Sequence, residues 1–460
     1  MSKPNLLQTV LSVGACKLTR WGLRITGKGG TALPGKVARF FAPDILERVS
    51  DGMEIIVVTG TNGKTTTCRM LEHTLTSNGH PCLANKSGAN LLSGVTAEIT
   101  CNATWTGKPK THYAVIECDE GALKQVVPLI HPKVIVVTNL FRDQLDRYGE
   151  VMHTVETIRV GIKKVPESIL CLNADDSLVS SLAFDVPNKV VYYGIDVPVG
   201  DQSDERISDA RHCIRCGAEY RYHYHTYAHL GGFYCPKCGY ARQTPEVSVR
   251  AIREVRADGS DVQMQIGGEE MDVHIGLPAV YNIYNAAAAI CGYRAFGLPV
   301  DEVLTALSDV HSSFGRMENF QLGGVRVQMI LVKNPAGCNQ ALSYLAGLSE
   351  DFNAVFCLND HTADGHDISW IWDADYETVV RDPHLKNVFV WGERAEDMQL
   401  RLKYAGLDES RVTLFRESGE LIEAMKKSAL PVFVLPNYTT MLALRAALGS
   451  ETGAQDFWKG

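Results

Sequence analysis

The stretch that decides the fold reads Ile55-Ile56-Val57-Val58-Thr59-Gly60-Thr61-Asn62-Gly63-Lys64-Thr65-Thr66-Thr67. Its apolar start predicts a buried strand, its glycines predict a turn, and the residues from Lys64 onward predict a helix. Glycines let backbone N–H groups approach phosphate oxygens, and a helix N-terminus adds partial positive charge. We therefore predict an ATP-binding loop in which Lys64 reaches the β- and γ-phosphates and the Thr65 hydroxyl binds Mg²⁺. The other loop residues expected to bind the nucleotide are Gly60, Thr61, Asn62, Gly63 and Thr66.

Length and composition limit the class of protein. A chain of 460 residues is long enough for two or three domains, each with its own core. The net charge of −8 argues against a general nucleic-acid binder, so no nucleic-acid partner is expected. No apolar run approaches the roughly 20 residues that span a bilayer, and the N-terminus lacks a signal peptide. We expect a cytoplasmic protein with at most peripheral contact with the inner face of the cell membrane.

The order of apolar runs predicts an α/β fold in two domains. Strands that alternate with helices imply mostly parallel sheets with ligands at the carboxyl ends of the strands. A basic N-terminal segment, 1–50, precedes the ATP-binding domain, 51–314, and a second Rossmann-like domain covers 315–460. The basic segment predicts a solvated helix packed on the ATP-binding domain; the alternative is weak attraction to an anionic membrane surface. The predicted strands are 55–58, 113–116, 134–137, 168–172, 190–193, 327–332, 354–358, 387–390, 411–414 and 431–435.

Four cysteines form a second strong pattern, within an insertion at about 204–245. Cys213-x₂-Cys216 and Cys235-x₂-Cys238 are separated by eighteen residues, which is typical of a Cys₄ zinc ribbon. A glycine follows each pair and allows the tight turn around Zn²⁺. Four protein ligands close the site, so the zinc is expected to be structural. The alternative is disulfide pairing, which a reducing cytosol disfavours. The histidines between the pairs are predicted to lie at the surface: His223, His225 and His229.

The loop sequence resembles the ATP loop of the Mur ligase and folylpolyglutamate synthase superfamily, and further segments follow in that superfamily's order. The predicted strand before Glu117 ends at the sheet edge that faces the loop, and the resemblance makes Glu117 the magnesium ligand. Thr138-Asn139 and the segment up to Gly149 resemble a superfamily signature in which Gln144 replaces a metal-holding histidine. Asn173-Ala174-Asp175-Asp176 resembles a segment near the nucleotide. The remaining nucleotide contacts that the resemblance implies are Asn282 and Asn285 at the adenine and Arg316 at the phosphates.

Three features together resemble one family within the superfamily. Because the loop starts at residue 60, we expect no separate domain for a UDP-sugar substrate; the Cys₄ insertion and an altered C-terminal domain are the other two features. The chain is therefore similar to the MurT family, the synthetase subunits of lipid II isoglutaminyl synthase. This resemblance implies a ligase of peptidoglycan synthesis that uses ATP to activate the α-carboxyl of D-glutamate in the lipid II stem peptide. The acyl-phosphate would react with ammonia to give D-isoglutamine, with Lys64 and Glu117 stabilising charge during phosphoryl transfer.

The same resemblance implies a partner subunit. In this family a GatD-like glutaminase releases ammonia from glutamine within a heterodimer. An aspartate of the synthetase completes the partner's Cys–His pair, and the matching residue here is Asp367, in a polar loop that follows strand 354–358. A carboxylate there would orient the partner's imidazole. The alternative role for Asp367 is capping of the following helix. The alternative functions are a folylpolyglutamate synthase-like or Mur-like ligase that acts alone, and an ATP-dependent scaffold protein.

Overall fold

The computed structural model describes residues 5–25, 32–85, 88–142, 151–200, 202, 209–256, 258–310 and 316–452. The chain divides into two compact units, one of residues 1–141 with 150–310 and the other of residues 142–149 with 311–460. Each unit is an α/β fold built on a mostly parallel sheet, as the sequence predicts. The exact domain limits 51–314 and 315–460 stay a prediction.

The first unit is built on a nine-stranded sheet. Its strands are β1 (Glu54–Thr59), β2 (Cys82–Ala84), β3 (Tyr113–Glu117), β4 (Val134–Val137), β5 (Ile169–Asn173), β6 (Val190–Ile195), β9 (Val247–Arg256), β10 (Gly259–Ile266) and β11 (Glu269–Ile275). Their order across the sheet is β11-β10-β9-β6-β5-β4-β1-β3-β2. The pairs from β2 to β9 are parallel, whereas β9, β10 and β11 pair antiparallel. Every predicted strand of this unit is confirmed, and β2 is one that the sequence pattern did not predict.

Helices cover this sheet and extend before it. They are α1 (Leu6–Ile25), α2 (Leu33–Phe41), α3 (Ile45–Ser50), α4 (Lys64–Ser77), α5 (Leu92–Asn102), α6 (Leu123–Ile130), α7 (Val151–Ile162), α8 (Ser177–Ser180), α9 (Val280–Phe296) and α10 (Val300–Ser308). The N-terminal helices share the core of the sheet, since Val13, Ala38 and Ile45 belong to the same buried cluster as Ile55. None of the described helices is both long and apolar enough to cross a bilayer.

The register of the central strands positions the site. β1 lies between β3 and β4, with Val58 opposite Glu117 and Thr59 opposite Val137. All three strands are apolar and buried almost throughout, as expected for parallel strands covered on both faces. Their carboxyl ends therefore bring the glycine loop, Glu117 and Thr138 to one edge of the sheet.

The cysteine-containing insertion has its own small sheet and core. β7 (Arg221–Tyr227) and β8 (Leu230–Tyr234) form an antiparallel hairpin between the two cysteine pairs. Tyr220, Phe233 and Tyr240 pack edge-on against one another beside the buried cysteines. The insertion thus relies on a few aromatic rings rather than on a full hydrophobic core.

The second unit has a six-stranded sheet in the order β12-β13-β17-β14-β15-β16. Its strands are β12 (Arg316–Leu322), β13 (Val325–Ile330), β14 (Phe352–Cys357), β15 (Leu385–Trp391), β16 (Val412–Leu414) and β17 (Val432–Pro436). Its helices are α11 (Pro335–Ala346), α12 (Glu377–Val380), α13 (Ala395–Tyr404), α14 (Ser418–Lys426) and α15 (Tyr438–Thr452). The five predicted strands are confirmed, and β12 is an additional strand that the sequence analysis did not predict. Except for the β12–β13 hairpin, the strand pairs are parallel.

Candidate active site and metal centre

The loop between β1 and α4 needs glycine at two positions, for backbone conformation and for lack of space. Gly60 has φ +123° and Gly63 has φ +86°, both in the region that favours glycine. A Cβ on Gly60 would lie 2.3 Å from the Thr138 hydroxyl oxygen, and one on Gly63 would lie 2.1 Å from the Asn285 amide oxygen. Any larger residue at either position would push the loop away from the groups that surround it.

A neighbouring strand braces the loop. The backbone N–H of Thr61 donates to the Asn139 carbonyl at 2.8 Å, and the N–H of Asn62 donates to the Asn139 side-chain oxygen at 2.9 Å. The Thr138 hydroxyl donates to the Asn62 carbonyl at 2.7 Å. The Thr-Asn pair after β4 therefore acts as a template for the loop, a role that the sequence motif alone did not specify.

Lys64 is buried at the start of α4 and is held by three acceptors. Its Nζ donates to Glu120 Oε1 at 2.8 Å, to the Gly60 carbonyl at 2.5 Å and to the Thr61 carbonyl at 3.3 Å. Burial disfavours the charged amine, but the carboxylates of Glu120 and Glu117 outweigh it, so the pKa of Lys64 lies above its ordinary value. The lysine is thus a permanent cation in the loop, suited to binding phosphate. The sequence analysis gave Glu120 no role.

Thr65 and Glu117 form the oxygen pair expected of a magnesium site. The Thr65 hydroxyl donates to Glu117 Oε2 at 2.7 Å, and both side chains are buried. Asn85 fixes the backbone of Glu117 from both sides, accepting its N–H at 2.7 Å and donating to its carbonyl at 2.8 Å. Asn90 donates to Glu117 Oε1 at 3.4 Å. Hydroxyl and carboxylate oxygens are ligands that Mg²⁺ prefers, so the donor set fits the metal. Asn85 was missed from the sequence because β2 was missed.

Asn282 and Asn285 lie on the first turns of α9, against the loop. Asn285 Oδ1 is 3.5 Å from the Thr67 hydroxyl, and Asn285 Nδ2 donates to Asn282 Oδ1 at 3.2 Å. Asn282 in turn donates to the Pro278 carbonyl at 2.6 Å. Both amides are buried beside the phosphate loop, and their predicted contact with adenine stays a prediction.

The four cysteines of the insertion converge on one point. Their sulfurs lie within 4.8 Å of one another, with Cys213 and Cys238 at 3.5 Å and Cys216 and Cys235 at 3.4 Å. A disulfide would require about 2.05 Å, whereas zinc bonds of about 2.3 Å place tetrahedral sulfurs roughly 3.8 Å apart. The donor set therefore fits a closed zinc site. Gly217 and Gly239 both have positive φ, at +71° and +75°, and each N–H donates to the carbonyl of the first cysteine of its pair.

A buried polar network joins this insertion to the rest of the first unit. Asp175 is fully buried and receives hydrogen bonds from Arg242 Nε at 2.5 Å, the Tyr284 hydroxyl at 2.5 Å and the Ile195 N–H at 2.7 Å. The Tyr284 hydroxyl also lies 2.7 Å from the Thr226 hydroxyl. Arg242 and Thr226 belong to the insertion, Tyr284 to α9. Burial raises the pKa of Asp175 even though Arg242 opposes it.

The predicted surface position of the three histidines is wrong for two of them. His223 is exposed, but His225 and His229 are buried. His229 lies at the turn of the β7–β8 hairpin, where its ring contacts Phe141 at 4.7 Å between centroids and its Nε2 lies 3.5 Å from Asp176 Oδ1. Burial disfavours the charged imidazole, but Asp176 outweighs it, so the pKa of His229 lies above its ordinary value. The hairpin folds back onto the segment after β4, which the cysteine spacing does not reveal.

The polar loop of the second unit leaves Asp367 at its surface. Asp364 is buried and accepts from the N–H of Thr439 at 2.7 Å, and Asp360 pairs with Arg394 at 2.8 Å. Asp367 is exposed, and its Oδ1 accepts the N–H of Ser369 at 2.8 Å. Hydrogen bonds from Ser369 lower the pKa of Asp367, which keeps it ionised. Asp367 thus binds the first N–H of the helical turn Ser369–Trp372 while the residue stays exposed to solvent.

Some predicted residues lie outside the described part of the chain. Gln144 and its neighbours in the signature segment are among them, as is the side chain of Arg316, whose backbone begins β12. Their predicted roles stay predictions.

Comparison with known proteins gives two family-model matches. The Mur ligase middle domain matches residues 58–292, and the MurT ligase C-terminal domain matches residues 331–441. Two similar curated proteins carry the name lipid II isoglutaminyl synthase (glutamine-hydrolyzing) subunit MurT. The one from Streptococcus pneumoniae is 34% identical over 450 residues, which cover 96% of this chain and 98% of the relative. The one from Staphylococcus aureus is 35% identical over 433 residues, covering 94% and 95%.

A solved structure shows the same fold. The pseudomurein peptide ligase type C from Methanothermus fervidus superposes with a TM-score of 0.65 at 20% identity, covering 86% of this chain and 78% of that one.

Proposed function

The chain belongs to the MurT family of Mur ligase-related proteins, and from that premise we propose that it is the synthetase subunit of a lipid II isoglutaminyl synthase. The reaction is the ATP-dependent amidation of the α-carboxyl of D-glutamate in the stem peptide of lipid II, giving D-isoglutamine. The observation that carries the proposal is a complete phosphate loop, with Lys64 and the Thr65–Glu117 pair in place, in a chain that aligns with MurT relatives over nearly its whole length. The fold class and the family expected from the sequence are confirmed.

The chemistry assigns roles to the residues of the loop. A carboxylate is a poor acyl donor, so an α-carboxylate oxygen first takes the γ-phosphoryl group of ATP, with release of ADP. Ammonia then attacks the acyl carbon, phosphate leaves, and the nitrogen loses a proton to give the amide. Phosphoryl transfer is stabilised mainly by positioning and positive charge. The buried ammonium of Lys64 and the N–H groups of the loop supply that charge, and the braced loop supplies the positioning.

Three cofactors follow from family membership and from the donor sets. Membership of the Mur ligase family implies ATP and Mg²⁺. We assign Mg²⁺ to Thr65 and Glu117, where it would neutralise phosphate charge. We assign a structural Zn²⁺ to Cys213, Cys216, Cys235 and Cys238, because the sulfur positions fit tetrahedral coordination.

The partner is a second subunit. The curated relatives are named as subunits, which implies a complex, and we propose that the partner is a GatD-like glutaminase that forms a heterodimer and delivers ammonia. Asp367 would orient the histidine of the partner's Cys–His pair. Its exposed position and ionised carboxylate support this role. Because lipid II is anchored in the membrane, the enzyme would act at the inner face of the cell membrane.

The test is amidation of purified lipid II, followed by mass spectrometry of the stem peptide. With ATP and glutamine, we expect D-isoglutamine only when the chain is co-expressed with its glutaminase subunit. With ATP and ammonium chloride, the chain alone should form the same product. Addition of a free amino acid in place of ammonia would instead support the ligase that acts alone. Formation of D-isoglutamine without ATP in both assays would refute the proposal.

A further inference from the structure

The N-terminal helix α1 exposes its apolar face. At 100° per residue, positions 7, 11, 14, 18, 21 and 25 fall within roughly 80° of the helix surface. Apart from Gly14 this stripe consists of large apolar side chains, and all of these are exposed: Leu7, Leu11, Leu18, Trp21 and Ile25. The opposite face is buried and carries Thr9, Ser12, Val13 and Cys16. A helix that covers a globular core normally shows the reverse arrangement.

Specific contacts hold α1 in this orientation. The Ser12 hydroxyl donates to the Ala38 carbonyl at 2.7 Å, and Cys16 Sγ lies 3.5 Å from Cys101 Sγ. Arg20 forms a two-pronged ion pair with Glu98, at 2.7 and 3.1 Å. The small and polar residues thus define the docked face, and rotation of the helix to bury its leucines would break all of these contacts.

Neighbouring elements expose further large apolar side chains. On α2, a Cβ at Gly35 would lie 1.8 Å from the Ser93 carbonyl oxygen, so that face must pack on α5. The opposite face of α2 therefore points outward, with Leu33 exposed and Phe40 83% exposed. Trp105 is also exposed and lies beside α1, since its ring is 3.5 Å from the Cβ position of Gly14 and 5.1 Å from the Lys17 ammonium. The exposed side chains of the stripe together with Leu33, Phe40 and Trp105 are here called the N-terminal apolar surface.

Basic residues outnumber acidic residues in the segment that carries this surface. The chain carries a net charge of −8, yet it contains no Asp or Glu before Asp44. The described part of the same stretch contains five basic residues: Lys17, Arg20, Arg24, Lys36 and Arg39. Lys108 and Lys110 are exposed on the loop that carries Trp105, and Lys110 is close enough to act with burial in lowering the pKa of Lys17. The acidic Glu98 is paired with Arg20.

We propose that the N-terminal apolar surface lies on an anionic phospholipid bilayer, with α1 parallel to the membrane plane. An exposed stripe of Leu and Trp flanked by Lys and Arg is the composition of an interfacial helix. The basic residues listed above favour a negatively charged bilayer over a neutral apolar partner. The inference rests on the proposed function in one respect: membrane binding is useful because a membrane-bound synthetase would meet a lipid-linked substrate at the surface where that substrate is anchored.

The experiment is sedimentation of the full chain, in complex with its glutaminase subunit, with lipid vesicles. One set contains phosphatidylglycerol and phosphatidylcholine, and the other contains phosphatidylcholine alone. We expect binding to the anionic set that weakens with salt, since each basic residue near the surface contributes about a fivefold change in partition. The double variant Leu18→Glu/Trp21→Glu should reduce binding at least tenfold, on the order expected when two apolar anchors become charged.

A matched control shows whether added negative charge alone reduces vesicle binding. Leu18 and Trp21 are 65% and 63% exposed, and Leu400 and Tyr404 on α13 are 46% and 70% exposed. The variant Leu400→Glu/Tyr404→Glu makes the same change in charge and should bind vesicles like the unmodified protein. Equal loss in both variants, or no binding of the unmodified protein to anionic vesicles, would overturn the proposal. So would loss of the glutaminase subunit from Leu18→Glu/Trp21→Glu with vesicle binding intact, because the surface would then dock that subunit.

Amidation of a lipid-free stem peptide distinguishes this inference from the proposed function. The Leu18→Glu/Trp21→Glu variant should amidate that peptide at the unmodified rate and lose activity only on lipid II in anionic vesicles. If the unmodified complex binds vesicles but amidates neither substrate, the membrane surface stands and the proposed function fails.

Discussion

Replacing Arg242 with alanine tests whether the Cys₄ insertion is an integral part of the first unit's structure or an independently folded attachment to it. Arg242 follows the second cysteine pair and contacts two acids of the main sheet, Asp175 at 2.5 Å and Asp196 at 2.6 Å. Asp196 has a second partner in Arg250, also at 2.6 Å. Asp175 lies at the end of β5 with no solvent exposure and would be left with only neutral donors.

The expected loss of stability follows from the burial of Asp175, which keeps no cationic partner once Arg242 is removed. Removal of one partner of a buried ion pair costs about 3–5 kcal/mol, because the remaining charge is buried without compensation. An exposed ion pair contributes roughly 0.2–1 kcal/mol. The insertion offers such a pair as a control, since Arg211 and Glu219 are both exposed and 2.6 Å apart. At roughly 2 °C per kcal/mol, Arg242→Ala should lower the melting temperature by about 6–10 °C and Arg211→Ala by about 2 °C or less.

The loss should also depend on pH. Burial raises the pKa of Asp175 in the folded protein, and Arg242 is the largest factor that opposes the rise. Without Arg242 the pKa rises further, so the folded state favours the neutral acid. A group whose folded pKa is raised above its ordinary value of about 4 makes folding less stable as pH increases through that window. The destabilisation by Arg242→Ala should therefore be smaller at pH 5 than at pH 8.

The assay is thermal unfolding followed by circular dichroism at both pH values, with zinc present throughout. The result that refutes the reasoning is an Arg242→Ala melting temperature equal to that of Arg211→Ala at pH 8. A loss that is larger at pH 5 would also refute it, because the sign requires an ionised and uncompensated Asp175.

Three further predictions concern the remaining sites. Lys64→Ala should reduce ATP-dependent amidation by about 10²-fold or more while the circular dichroism spectrum remains that of the folded protein, although loss of the buried partner of Glu120 lowers the melting temperature. The exposed Lys189→Ala should keep full activity, and near-normal turnover of Lys64→Ala would exclude the loop assignment. Asp367→Asn should slow glutamine hydrolysis by the complex about 10²-fold or more while amidation from free ammonia continues. Asp408→Asn, which replaces a carboxylate that accepts a similar backbone N–H, should change neither rate. Equal loss of both activities in Asp367→Asn would place the loop at the ATP site instead. Elemental analysis should find one zinc per chain, and its removal should unfold the Cys₄ insertion; protein that is folded and metal-free without chelator would contradict the assignment.

Sequence reasoning worked best where a local pattern determines the structure. The apolar run before Gly60 and the glycine spacing were sufficient to predict β1, the loop and the start of α4. The strand before Glu117 could be predicted from its apolar residues alone, and parallel pairing then brings that carboxylate to the same sheet edge. The cysteine spacing predicted the converged sulfurs for the same reason, because each pair is a local turn.

It failed where the outcome depends on contacts distant in sequence. Asn85 follows a strand of only three residues without a clear apolar alternation, so neither the strand nor its role beside Glu117 was apparent. The sequence analysis predicts His229 at the surface, and this prediction is wrong. His229 is buried because the β7–β8 hairpin folds back onto Phe141 and Asp176, which no local pattern predicts. The exposed stripe of α1 could not be predicted either, because the spacing of leucines does not indicate which face of the helix packs on the rest of the protein.

The Asn-Ala-Asp-Asp segment shows how these long-range contacts reach the phosphate loop. Asp176 accepts the N–H groups of Leu178 and, through its other oxygen, of Leu140. Leu140 directly follows Asn139, whose backbone and side chain hold the N–H groups of the loop at Thr61 and Asn62. The neighbouring Asp175 is held by the insertion through Arg242. The two aspartates therefore connect the Cys₄ insertion to the Thr-Asn pair that braces the glycine loop, so this segment supports the loop through hydrogen bonds.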